Sequence, residues 1–123
     1  MSTYALWLDH EHAKVFHFTP DKLTHFQLKH HQAEHHSAKN QSDLVHKKFF
    51  DEIRQKLKGA DRLMVMGPGT AKNHFKNYLD EHDKGLAKKI VAFKTVDHPT
   101  DHQLVAIARE LLGEEILWKG LNG

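Results

Sequence analysis

The sequence contains no cysteine, and it has only three prolines. The absence of cysteine excludes disulfide bonds, thiolate catalysis and every zinc site that needs sulfur ligands. No apolar run approaches the roughly 18 residues that span a bilayer. Residues 1–4 show no basic segment followed by an apolar one, as a secretory signal would. We therefore expect a cytoplasmic protein with no membrane partner.

Histidine is the residue in excess, with 13 among 123 residues. Nine of these histidines lie between residues 10 and 46. The net charge of +2 counts every imidazole as neutral, so full protonation would add 13 positive charges. Because a free imidazole titrates at about pH 6.5, we expect the chain to bind polyanions more tightly at pH 6 than at pH 8.

The N-terminal third has the pattern of three β-strands. Short apolar runs cover residues 4–9, 13–18 and 23–30, and the connections between them are too short for crossover helices. These runs predict an antiparallel meander. Residues 31–42 then show no periodicity and almost no apolar content, which predicts a histidine-rich loop at about 30–42. The length of the chain suits a single domain over residues 1–123.

The second half alternates between helices and strands. A helix is predicted from Ser42, as N-cap, to a C-terminal stop at Gly59, with an apolar stripe that includes Phe49 and Ile53. Buried strands are predicted at 62–67 and 90–96, helices after residues 70 and 100, and a last short strand at 116–118. This alternation implies parallel strands and right-handed crossovers. The expected fold class is α/β, with a mixed sheet that combines the antiparallel meander with βαβα units and carries helices on its faces.

A glycine-containing turn joins the strand at 62–67 to the next helix. Free backbone amides at such a helix start bind anions, and Lys72 adds a positive charge. The turn has neither the Walker nor the dinucleotide-binding spacing, and Pro68 lacks an amide donor, so a purely structural turn is the alternative. The predicted RNA- or anion-binding residues are Gly67, Gly69, Thr70, Lys72 and Lys76.

A polar segment follows the strand at 90–96. Asp97 and His98 have the chemistry of an acid–base pair, but no nucleophile motif accompanies them, and we predict no catalytic residue. Thr100 and Gln103 have the spacing of a capping box, so helix capping is the alternative. The predicted binding surface consists of Asp97, His98, Thr100, Asp101 and His102.

The histidine-rich loop contains two histidine pairs. Neutral imidazoles are good ligands for zinc or nickel, although the spacing matches no known metal motif. The alternative is a titratable loop that binds metal only adventitiously. The predicted metal ligands are His30, His31, His35 and His36, and no other cofactor is expected.

Positive charge is concentrated in the second half. Residues 47–123 have a net charge of +3, whereas residues 1–46 have a net charge of −1. Lysine-rich helices can contact phosphates in a salt-dependent manner, or can simply be solvated.

Six motifs together indicate a family resemblance. They are Trp7-Leu8-Asp9-His10, Ala13–Phe18, Gly67–Lys72, Val96–Asp101, Gln103–Ala106 and Ala108-Arg109. The chain resembles the small bacterial "translational machinery proteins", which are similar to the third, C-terminal domain of the eukaryotic and archaeal class I release factor and of Pelota. The resemblance implies the α/β/α sandwich that ribosomal proteins binding kink-turn RNA also have.

The resemblance implies a non-enzymatic module associated with translation. Its expected partners are the ribosome, rRNA or a translation GTPase. The oligomeric state is not predicted, and a homodimer is an open alternative. Full release factors hydrolyse peptidyl-tRNA with a Gly-Gly-Gln loop in their middle domain, and this tripeptide is absent here. We therefore expect no peptidyl-tRNA hydrolysis. The alternative function is that of a metal-binding or pH-responsive protein that uses the histidine-rich loop.

Overall fold

A computed structural model describes residues 2–19, 22–29 and 39–112, with the backbone alone at 39–46 and 111–112. Its strands and helices follow the order β1 (Thr3–Leu8), β2 (His12–Phe18), β3 (Leu23–Lys29), α1 (Lys39–Lys56), β4 (Arg62–Gly67), α2 (Ala71–His82), α3 (Lys84–Ala87), β5 (Ile90–Thr95) and α4 (Asp101–Leu112).

The five strands form one mixed sheet with the order β3-β2-β1-β4-β5. The pairs β1–β2 and β2–β3 are antiparallel, whereas β1–β4 and β4–β5 are parallel. The predicted meander and the predicted mixed sheet are therefore confirmed. The first strand of the chain lies at the centre of the sheet.

Helices cover both faces of the sheet. Because side chains alternate along a strand, Leu6 and Leu8 of β1 point to one face and Trp7 to the other. The first face packs against α1 and α2, through residues such as Ile53 and Phe75. The second face packs against α4, where Leu104, Val105 and Ala108 are buried. The predicted three-layer α/β/α sandwich is confirmed.

Helix α1 begins earlier than predicted. Its first residue is Lys39, so Ser42 lies inside the helix and the predicted N-cap is wrong. Lys39 to Gln41 include no residue that excludes a helix, and this polar stretch lacks the apolar periodicity that would have revealed it. The predicted end is confirmed, because Gly59 has a φ of 85°, a conformation that favours glycine.

Strand β5 lies at the edge of the sheet that the described residues form, and the prediction of a buried strand was wrong. Val91 is 54% exposed and Phe93 is 39% exposed. An apolar run indicates a strand but does not reveal its position in the sheet. The short helix α3 was not predicted. Its N-cap is Asp83, whose carboxylate accepts a hydrogen bond from the amide of Leu86 at 3.1 Å.

Three predicted segments lie outside the described residues. They are part of the turn at 19–21, most of the loop at 30–42, and the strand at 116–118. Within the described ranges, no helix has the length and apolar character needed to cross a membrane.

Candidate binding surface at the carboxyl ends of the parallel strands

The carboxyl ends of β1, β4 and β5 meet at one edge of the sheet, because these three strands are parallel. Open α/β sheets place their ligand sites at this edge. The segments that follow the strands begin at Asp9, Pro68 and Val96. The amide of Val96 donates a hydrogen bond to the carbonyl of Gly67 at 2.9 Å. The fold therefore brings together the two turns that the sequence singled out.

Gly67 lies directly against the backbone of β1. A Cβ at this position would come within 2.2 Å of the carbonyl oxygen of Leu8. That oxygen belongs to the central strand, so it cannot move aside as a flexible side chain would. A glycine is therefore required here for the close approach of the two backbones. Gly69 has open space where its Cβ would be.

The side chain of Lys72 turns back onto the glycine turn. Lys72 is only 5% exposed, and its Nζ donates a hydrogen bond to the carbonyl of Gly69 at 2.6 Å. The same ammonium lies 5.9 Å from the ring centroid of Phe93 in β5. The cation thus holds the turn to α2 and to the edge strand. Anion binding by Lys72 stays a prediction.

The other predicted anion-binding residues face the solvent. Thr70 precedes α2 without a capping bond from its side chain, and its Oγ1 lies 3.5 Å from Nε2 of His10. Lys76 lies in the second turn of α2, and its Nζ is 3.2 Å from the carboxylate of Asp80. The structure therefore does not place Lys76 and the glycine turn around one shared point.

His98 bridges two carboxylates. Its Nδ1 lies 2.9 Å from Oδ1 of Asp97, and its Nε2 lies 3.2 Å from Oδ2 of Asp9. The imidazole is solvent-exposed. Hydrogen bonds to Asp97 and to Asp9 raise the pKa of His98 above its ordinary value. These two contacts link the segment after β5 to the segment after β1.

Asp9 also closes the turn between β1 and β2. Its Oδ1 accepts hydrogen bonds from the amides of Glu11, at 2.8 Å, and His12, at 2.6 Å. Partial burial acts to raise the pKa of Asp9, but these two amides and His98 outweigh it and keep the pKa below its usual value. The carboxylate is therefore ionised at neutral pH and can pair with a protonated His98.

Asp9 was missing from the residues predicted for the site. It lies 89 positions before His98 in the chain, so no local spacing links the two. One signal could have found it. Asp9 follows β1 just as Asp97 follows β5, and the carboxyl ends of parallel strands share an edge.

Trp7 contacts both Asp97 and His98 and holds them in position. Its indole Nε1 donates a hydrogen bond to the backbone carbonyl of Asp97 at 2.8 Å. The indole packs edge-on against the ring of His98, with 5.1 Å between the ring centroids. Trp7 is only 3% exposed, so this hydrogen bond satisfies a buried donor and positions the turn at the same time.

Residues Thr100 to Gln103 form the predicted capping box. The amide of Gln103 donates to Oγ1 of Thr100 at 3.2 Å, and the amide of Thr100 donates to Oε1 of Gln103 at 2.9 Å. Asp101 follows and accepts a hydrogen bond from Nζ of Lys14 at 2.8 Å, which lowers the pKa of that carboxyl. Thr100 and Asp101 therefore anchor α4, whereas His102 is exposed.

A groove with a volume of about 500 Å³ lies between α1, α2 and the turn after β1. Three histidines, His10, His74 and His82, line it together with Lys47 and Glu81. Within the part of the chain that the structure describes, no group of three or more His, Asp or Glu residues could hold a metal ion. The predicted metal ligands His30, His31, His35 and His36 lie outside that part.

No family model matches the chain. One curated relative is a Pelota homologue from Methanosphaera stadtmanae, which is 37% identical over 51 residues. This match covers 39% of the chain and 14% of the relative.

Solved structures match over a larger part of the chain. Pelota from Archaeoglobus fulgidus has a TM-score of 0.64 at 21% identity, with 89% of this chain covered. Pelota from Thermoplasma acidophilum has a TM-score of 0.67 at 16% identity, with 94% covered. An archaeal translation termination factor has a TM-score of 0.65 at 19% identity, with 96% covered. The match spans 31% to 36% of the length of these proteins.

These likenesses confirm two predictions made from the sequence motifs. The chain is similar to the C-terminal domain of Pelota and of the archaeal release factor, and it has the α/β fold of that domain. The similarity is one of fold over most of the chain, joined by a shorter match in sequence to a Pelota homologue.

Proposed function

We propose that this chain is a non-catalytic module of the translation machinery that binds the ribosome or structured RNA. The observation that supports this function is the joint likeness to Pelota, in fold over most of the chain and in sequence over 51 residues. Because the chain matches about a third of the length of the solved relatives, their complete activities do not transfer with the fold.

The side-chain chemistry at the carboxyl ends of β1, β4 and β5 supports a non-catalytic role. The polar groups there hold the scaffold together: Thr100 caps α4, Asp101 pairs with Lys14, and Asp9 closes a turn. Each of these bonds occupies a group that a reaction would need free. The surface at the carboxyl ends of these strands therefore serves better as a rigid binding surface than as a reaction centre.

The face formed by α1 and α2 offers contacts for phosphates. Lys47 and Lys48 are exposed on α1, and Lys76 is exposed on α2. Lys47 also lines the groove that contains His10 and His74. Cations arranged around an open groove bind an RNA backbone by releasing its counterions, so the affinity falls steeply with salt.

The test is co-sedimentation of the full chain with purified ribosomes, together with filter binding of rRNA, over a series of salt concentrations. We expect binding at low salt, and we expect Lys47→Glu with Lys76→Glu to weaken it at least about ten-fold and to flatten its salt dependence. The matched control is Lys22→Glu with Lys29→Glu, which reverses the same number of charges on exposed lysines at the two ends of β3. If the wild-type chain neither sediments with ribosomes nor binds rRNA at low salt, the proposed function is wrong.

A second candidate function is docking to a translation factor. The exposed apolar side chains Val91 and Phe93 on β5 favour it. Nuclease treatment separates this candidate from RNA binding. A translation GTPase that the full chain retains after nuclease digestion, and that the variant Phe93→Ser loses, would favour docking. Loss of every partner on digestion would favour RNA.

A further inference from the structure

The outer edge of β5 has no strand beside it among the described residues. On its inner side β5 pairs with β4, and the amide of Val96 continues that pairing to Gly67. Because hydrogen-bonding directions alternate along a strand, Phe93 and Thr95 direct their N–H and C=O groups away from β4. These groups form a ready template for a further strand.

Apolar side chains accompany these free backbone groups. Val91 is an extra residue in β5, since Leu63 pairs with Ile90 and Met64 pairs with Ala92. It is 54% exposed, and Phe93 is 39% exposed. In the described part of the chain, Phe26 on the opposite edge is the other large exposed hydrophobic residue. The apolar contacts and the backbone template thus coincide on β5.

The charge around this edge has one sign. Residues 84–96 contain four lysines and no acidic residue. Three of them, Lys88, Lys89 and Lys94, are exposed at the start of β5 or within it. Lys72 adds its ammonium over the ring of Phe93. The first acidic residue after this stretch is Asp97, beyond the end of β5.

We propose that the outer edge of β5 binds an extended segment of a partner protein, in which acidic residues alternate with apolar ones. The backbone of the segment pairs with Phe93 and Thr95, its apolar side chains cover Val91 and Phe93, and its carboxylates meet Lys89 and Lys94. This inference deepens the docking candidate, because it names the chemistry of the partner and the mode of recognition, strand addition.

Two other occupants fit the edge less well. A second copy of the chain would bring a second lysine-rich strand against the first, and like charges directly opposite each other destabilise a strand pair. An RNA strand would satisfy the lysines, but its phosphates would leave the apolar side chains and the N–H and C=O pairs of β5 without matching groups. A peptide of mixed acidic and apolar character satisfies all three features.

The experiment measures the fluorescence anisotropy of a labelled peptide, Glu-Val-Glu-Ile-Glu-Val-Glu, titrated with the full chain. A peptide with lysine in place of every glutamate tests the charge, and one with proline in place of the central isoleucine tests the strand pairing. The variant Phe93→Ser removes the apolar anchor. Its matched control is Phe26→Ser, which makes the same change on the exposed edge strand β3. Circular dichroism verifies that both variants fold.

We expect saturable binding of the acidic peptide and a loss of at least about ten-fold for Phe93→Ser, for the lysine peptide and for the proline peptide. Phe26→Ser should change the affinity less than about two-fold. Thr95→Pro, which removes one outward amide donor, gives a second variant if Phe93→Ser proves unstable.

Several outcomes would overturn the proposal. One is the absence of peptide binding, and another is equal loss in Phe93→Ser and Phe26→Ser. A concentration-dependent dimer that Phe93→Ser abolishes would identify a second copy as the occupant. Competition by an RNA oligonucleotide that is lost in Phe93→Ser would identify RNA. A ten-fold gain in peptide affinity on replacing Ile116 and Trp118 by serine would identify the chain's own end. Ribosome binding is measured separately, so its failure leaves these results intact.

Discussion

At the scale of single residues, Gly67 shows how one missing methyl group sets the path of the chain. Its Cα hydrogens face the Leu8 carbonyl, and a Cβ would lie 2.2 Å from that oxygen. We expect Gly67→Ala to lower the free energy of unfolding by about 2 kcal/mol, because the backbone of either β1 or β4 must shift. Gly69→Ala, with open space at its Cβ, should change it by less than about 0.5 kcal/mol. Urea denaturation measures both, and equal effects would contradict the assigned contact.

A second residue with a measurable role is His98, which links the segments after β1 and β5. Asp97 and Asp9 raise its pKa in the folded protein, so its stabilising effect is complete below the unfolded pKa of about 6.5. The effect is lost as the pH rises through the folded-state pKa. We therefore expect His98→Asn to lower the melting temperature clearly at pH 6 and hardly at pH 9.

The control for this pH dependence is His74→Asn, which replaces another exposed histidine. This variant should lower the melting temperature only slightly, and by a similar amount at pH 6 and at pH 9. The groups around His98 that titrate or carry charge are Asp97 beside it, Asp9 after β1, His12 and Lys14 on β2, and Asp101 at the start of α4. NMR titration of the His98 ring provides an independent measurement, and an unshifted titration would contradict the bridge.

At the scale of secondary-structure elements, α4 depends on its capping box. Thr100 and Gln103 satisfy each other's backbone amides, which would otherwise lack partners at the helix start. We expect Thr100→Ala to destabilise the protein by about 1 kcal/mol in urea denaturation. Thr100→Ser keeps the accepting oxygen and should restore most of this loss. If serine is no better than alanine, the hydroxyl does not stabilise α4.

The packing of α1 against α2 includes a polar contact between Tyr78 and Asp51. The hydroxyl of Tyr78 donates a hydrogen bond to Oδ1 of Asp51. Burial, and then this bond, raise the pKa of Tyr78 to about 12. Because the folded state favours the neutral phenol, its contribution is complete below about pH 10, the ordinary tyrosine value, and is lost as the pH rises towards 12.

We expect Tyr78→Phe to lower the free energy of unfolding by about 1 kcal/mol at pH 7, as the loss of one buried hydrogen bond does. The difference from the wild type should shrink at pH 11, where the phenol of the unfolded chain ionises. Urea denaturation of the wild type and of Tyr78→Phe at pH 7 and pH 11 tests this. A difference that stays constant from pH 7 to pH 11 would be inconsistent with the raised pKa.

Sequence patterns predicted the elements well where local chemistry decides them. The capping box at Thr100 rests on a spacing of three residues, and β4 was predicted with its exact bounds, Arg62–Gly67. The position of β5 at the edge could not be predicted, because strand order depends on contacts between distant segments. The Asp9–His98 pair was not predicted, because it too depends on contacts between distant segments. Local spacing identified His98, whereas only the parallel arrangement of β1 and β5 supplies its second partner.

At the scale of the whole molecule, the histidines make the charge strongly dependent on pH. Protonation of all 13 would add 13 charges to a net charge of +2. The effect falls mainly on the N-terminal half, where nine of them lie. We expect the full chain to bind heparin or rRNA several-fold more tightly at pH 6 than at pH 8 in matched salt.

A variant with glutamine at His30, His31, His35 and His36 distinguishes the contribution of the predicted histidine-rich loop from that of the other histidines. If the loop is responsible, most of the pH dependence should disappear in this variant. Equal affinity of the wild type at pH 6 and pH 8 would remove the histidines from the function altogether. The same variant tests the predicted zinc or nickel site, through the metal content of protein purified without a metal-affinity step.

The central position of β1 has a consequence for the order of folding. Of the five strands it is synthesised first, yet one of its two neighbours, β4, follows more than fifty residues later in the chain. An isolated meander of β1 to β3 would leave both of its apolar faces and one edge of its first strand open to water. Strand β1 therefore gains its second neighbour only after α1 and β4 have left the ribosome, and the nascent chain depends until then on avoiding premature strand pairing.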